Sequence, residues 1–102
     1  MFPSRQWPFE LVREWADELS VHTGHAKERL IENPQCLDFP NGVLRIELMD
    51  QSMVEFRWAF HIVSEHRKAI AVFTEHCGHH VFPYHEAKVF RDGVLIYEQK
   101  HV

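Results

Sequence analysis

Cysteine is scarce in this chain. Two residues, Cys36 and Cys77, among 102 cannot form the disulfide framework of a small secreted scaffold. Long apolar runs are missing too: the opening MFPSRQWPFELVREW is interrupted by polar residues, and no segment approaches membrane-spanning length. These two absences together point to a cytoplasmic protein with free thiols that stays off membranes. There is also no basic surplus. The formal charge is −4; residues 1–50 carry five Lys/Arg against nine Asp/Glu, and residues 51–102 carry six of each. A surface that wraps nucleic acid needs a clear excess of Lys and Arg, so nucleic acid is not an expected partner. No repeat, low-complexity tract or Pro/Gly/Ser-rich linker divides the sequence, which leaves residues 1–102 as a single domain. The zinc spacings CxxC and HExxH are absent, and no motif names a reaction.

An apolar fraction of 45% with thirteen aromatic residues is enough for a core that needs neither metal nor disulfide. Pro8 suits the first turn of a helix, and Phe9, Val12, Trp15, Ala16 and Leu19 follow at helical spacing. Gly24 stops that helix. A shorter one follows, with Thr23 as its N-cap and Ala26, Leu30 and Ile31 facing inward. Asn33 precedes Pro34 and therefore ends it. From Val43 the period changes to two: Leu44, Ile46 and Leu48 mark one strand. Val54, Phe56, Trp58, Phe60 and Ile62 then mark one side of a long second strand. Arg45, Glu47, Glu55 and Arg57 fall together as a solvated charge lattice. Ala69–His76 reads as a third strand and His79–Tyr84, interrupted at Pro83, as a fourth. Ala87–Arg91 and Val94–Glu98 flank Asp92-Gly93, a strong hairpin signal. The expectation is an α+β domain, with one or two N-terminal helices covering one face of a mainly antiparallel meander of about five strands. Trp7, Trp15 and Trp58 belong to the core side of that arrangement.

The stretch EHCGHHVFPYHE, residues 75–86, gathers four of the nine histidines with Cys77 and two carboxylates. If Cys77-Gly78 is a two-residue turn, His76 lies opposite His79 and Glu75 opposite His80. Opposed strand residues have Cβ atoms about 5 Å apart, so His76 and His79 could share one ion, Zn²⁺ by ligand type, with Cys77 or His85 completing the set. The other chemistry is acid–base. A turn at residues 65–67 puts Arg57 opposite Glu75, and Arg57, Glu75 and His80 then form a candidate clamp, base and acid for metal-free phosphodiester cleavage. Helices followed by a sheet bearing such a trio resemble small microbial ribonucleases in architecture, with no sequence motif in common. The hydrolase or nuclease reading is the alternative one.

The same registers place Phe73, Phe82 and Tyr84 beside Arg57, His61, Glu75 and His80, on the face opposite the long apolar row. That face carries more apolar surface than a monomer leaves wet. The function expected first is therefore a non-enzymatic interaction module, a homodimer or a binder of a protein partner through its sheet face.

Overall fold

The computed structural model describes residues 7–33, 37–75 and 78–98, and divides into two units, Met1–Asp38 and Phe39–Val102. Its architecture is α+β, with three helices followed by seven strands in two antiparallel sheets among the described residues.

In the first unit, α1 (Trp7–Glu14) and α2 (Ala16–Thr23) are two halves of one helical run that opens at Trp15 (φ −102°, ψ 17°). Hydrogen bonds still bridge the joint, from Trp15 N–H to Leu11 O at 2.9 Å and from Leu19 N–H to Trp15 O at 2.8 Å. Val12, Trp15, Ala16 and Leu19 are buried, as their spacing requires. Gly24 ends the run in the left-handed region (φ 82°), its N–H bonded to Ser20 O at 2.9 Å. Thr23 does not cap the next helix. Its Oγ1 donates to Leu19 O at 2.7 Å and accepts the His25 N–H, so its hydroxyl is spent on closing the previous turn. Ala26 holds the N-cap position of α3 (Lys27–Glu32). Of the three residues expected inward there, only Leu30 is buried. Asn33 ends α3 ahead of Pro34.

The second unit corrects the single meander. β1 (Val43–Leu48), β2 (Met53–Arg57), β6 (Ala87–Arg91) and β7 (Val94–Glu98) form a sheet in the order β2-β1-β6-β7. β3 (Ala59–Ser64), β4 (Ala69–Thr74) and β5 (His79–Pro83) form the other. The long second strand of the sequence reading is cut at Trp58, which takes φ +54° and is 41% exposed rather than a core residue. Both carbonyls at the cut are satisfied. Trp58 O accepts the Glu75 N–H at 3.1 Å, and Ala59 O accepts an Arg91 guanidinium N–H at 2.8 Å. The break also reverses the alternation. Phe56 and Ala59 share one core with Leu44, Ile46, Ile70, Val72 and Val89, while Phe60 goes to the opposite face of its sheet.

A second correction concerns register. The connection between β3 and β4 has four residues, Glu65 to Lys68, with Lys68 at φ +53°. The resulting one-residue slip puts Phe60 opposite Phe73 and Ile62 opposite Ala71. Phe73 opposes His79 on β5, whereas Phe82 opposes Ile70, so Phe73 and Phe82 lie on opposite faces. Phe73 is fully buried, stacked on Phe60 with ring centroids 5.3 Å apart. The exposed aromatic face expected from the sequence does not form.

After Pro83 a single 3₁₀ turn, Tyr84–Glu86, carries the chain across to β6, which returns beside β1 with Leu44 opposite Arg91 and Leu48 opposite Ala87. The closing hairpin is as expected. Asp92 (φ 51°) and Gly93 (φ 85°) make a two-residue turn with both residues left-handed, and one bulge interrupts the ladder at Val89/Phe90.

Candidate functional site

Strand alternation decides where the candidate residues go. Arg57 pairs with Val43 rather than Glu75 and sits with Arg45, Glu47 and Glu55 on the outward side of the first sheet. Arg45 there contacts Glu47 of the same strand at 3.1 Å and lies 4.5 Å over the Phe90 ring. Glu75 is exposed in the connection after β4. His80 opposes Val72 on the inner side of the second sheet, its ring 5.0 Å from that of Phe56. Arg57, Glu75 and His80 are thus distributed over an outer face, a connection and an inner face.

The histidine hairpin is also rearranged. His76 and Cys77 lie outside the described residues, as does Cys36. His79 does not follow a two-residue turn but faces Phe73 across the ladder, in edge contact at 4.8 Å and with Phe39 at 6.5 Å. Its Nδ1 accepts the Thr74 N–H at 3.2 Å, and Thr74 Oγ1 donates to Gly78 O. Burial pushes the His79 imidazole down from 6.5 to about 4, with the neighbouring His80 acting in the same direction. His79 is a neutral ring in an aromatic setting. His85 belongs to the 3₁₀ turn beyond the other end of β5, its ring 4.3 Å from that of Tyr84. The strand between them spans about 13 Å, so His79 and His85 are not brought together. Among the described residues no three His, Cys, Asp or Glu side chains converge on a point that could hold a metal.

Two features were not drawn from the sequence. The first is a cleft of about 510 Å³ at the end of the first sheet, where the β1–β2 turn meets the 3₁₀ turn. Met49, Met53, His85 and Glu86 line it, with Lys88 and Glu98 beside them, the last two paired at 3.3 Å. The signal available in the sequence was the position of Met49 and Met53 on either side of a predicted turn. The second feature is β7. Among the described residues it pairs only with β6, and Val94, Leu95 and Ile96 in it are 64, 45 and 45% exposed. Strict alternation would have buried one side of such a strand, but here Tyr97 is the β7 residue that packs partly against the core.

No helix among the described residues is long and apolar enough to cross a membrane. No family model, no curated protein and no solved structure matches this chain.

Proposed function

We propose that this protein is a non-enzymatic interaction module that self-associates along the outer edge of β7. The observation that carries this reading is the contrast between β7 and the other strand edges. β2 carries Glu55 and Arg57, β5 ends in Pro83, and the side chains of β3 are largely buried. Charge, proline and covering structure are the usual protections of a sheet edge. β7 reads VLIYE, with one charge at its end and no proline. Besides that charge it has the bulge at Val89/Phe90, which leaves Ile96 out of the β6 ladder.

An apolar strand at the end of a sheet turns its outer edge to a partner, and an antiparallel copy of itself is complementary to that edge. A twofold pair closes both edges at once, so the partner is a second copy of this chain. Three half-exposed apolar side chains and a short ladder, less the entropy of association, leave roughly 4–5.5 kcal/mol, a Kd of about 0.1–1 mM from this strand alone. Sedimentation equilibrium between about 10 μM and 1 mM tests it. A concentration-dependent dimer that Ile96→Lys dissociates is expected. A monomer throughout, or a dimer indifferent to Ile96→Lys, rejects β7 as the surface.

A further inference from the structure

Both methionines of the second unit are exposed at one place. Met49 is 70% and Met53 59% exposed, although methionine is ordinarily among the more buried residue types. They bracket a three-residue turn closed by hydrogen bonds from Leu48 N–H to Ser52 O at 2.9 Å and from Gln51 N–H to Leu48 O at 3.0 Å. Gln51 takes the left-handed conformation (φ 72°) that such a turn needs. Asp50 accepts both the N–H and the hydroxyl of Ser52, and these bonds hold its carboxyl below the ordinary range. Asp50 therefore fixes the turn. Met49 N–H donates to Glu86 O at 3.0 Å and ties the turn to the segment that carries His85. Two thioethers and an imidazole consequently line one cleft.

We infer that this cleft is a binding site for Cu(I), with Met49 Sδ, Met53 Sδ and a His85 ring nitrogen as ligands. Thioether sulfur is soft, polarisable and uncharged. It is a good donor to a soft monovalent ion and a poor one to Zn²⁺ or Mg²⁺, which take imidazole, thiolate or oxygen. Imidazole suits copper as well as zinc, so the two methionines supply the selectivity. Three neutral ligands leave the charge of the ion uncompensated. The Glu86 carboxylate at the rim of the cleft, on the residue next to His85, supplies the counter-charge. Unbranched methionine side chains can swing onto an ion without rearranging the backbone.

The test uses a Cys36→Ser/Cys77→Ser background, so that free thiols do not capture the metal. Ag(I), a redox-inert stand-in, is titrated into protein labelled with ¹³C at the methionine methyls. The Met49 and Met53 methyl signals should shift together, and Zn²⁺ should move neither. Competition with a chromophoric Cu(I) chelator under reductant should show affinity falling about tenfold or more in Met49→Leu, Met53→Leu and His85→Gln. The leucine variants replace exposed side chains, and an unchanged melting temperature confirms that they fold. Silver binding that leaves both methyls unmoved overturns the site. So does a Met49→Leu/Met53→Leu double variant that holds Cu(I) as tightly as its parent.

Discussion

The His79 ring packs against Phe73 and Phe39, and this burial holds it neutral in the folded protein down to about pH 4, while its Nδ1 accepts the Thr74 N–H. In the unfolded chain the same imidazole protonates near its ordinary value of 6.5. Above pH 6.5 both states carry a neutral ring, and the stability His79 contributes is fully present. As the pH falls below 6.5 the unfolded state takes up a proton that the folded state refuses, and stability drains until about pH 4, where the folded state binds one as well. Each tenfold difference in proton affinity is worth about 1.4 kcal/mol, so the whole loss is about 3 kcal/mol. That is a large share of the 5–15 kcal/mol typical of a domain. Urea denaturation of the wild type and His79→Gln at about pH 7 and pH 4.5 isolates the effect, because carboxylates titrate alike in both proteins. Gln is chosen because its amide oxygen can accept the Thr74 N–H. The wild type should lose about 2–3 kcal/mol more than the variant over that interval. Equal losses, or a His79 Cε1–H titration with its midpoint near 6.5, would refute the reasoning.

Other perturbations probe the fold. Phe73→Ala removes a fully buried ring stacked on Phe60 and should cost about 3–5 kcal/mol in urea denaturation, whereas Val94→Ala on the exposed edge should stay within about 0.5 kcal/mol. Gly24→Ala puts a side chain at φ 82° with no atom within 4 Å of the new Cβ, so its cost is conformational alone, about 1 kcal/mol, measurable as a drop in melting temperature.

What was legible in the sequence was whatever rests on local chemistry. Gly24 as a helix stop, Asp92-Gly93 as a hairpin turn and the bounds of β6 and β7 follow from backbone preferences of single residues. The path of the sheets was not legible, because it turns on non-glycine residues at positive φ. Trp58 is the clearest case: nothing in a bulky aromatic residue announces a left-handed break, and Glu75 and Arg91, which satisfy the carbonyls there, are distant in sequence. Lys68 is another, adding the one residue by which the β3–β4 register slipped. A one-residue slip exchanges faces, so Phe73 moved from an expected wet surface to a buried stack, while the break at Trp58 took Arg57 into the other sheet, away from Glu75 and His80. The cleft at Met49, Met53 and His85 joins a turn to a segment some thirty residues away through the β1–β6 pairing, a contact that no local pattern encodes.

The central claim, pairing of two copies along β7, is tested most directly by isotope-filtered NOE spectroscopy on an equal mixture of labelled and unlabelled protein near 1 mM, close to the Kd set by the strand's surface. Intermolecular contacts confined to Val94, Leu95, Ile96 and Tyr97, and lost in Ile96→Lys, are the predicted result. Intermolecular contacts that map elsewhere, for example to the exposed Val21 on α2, or none at all, would contradict it.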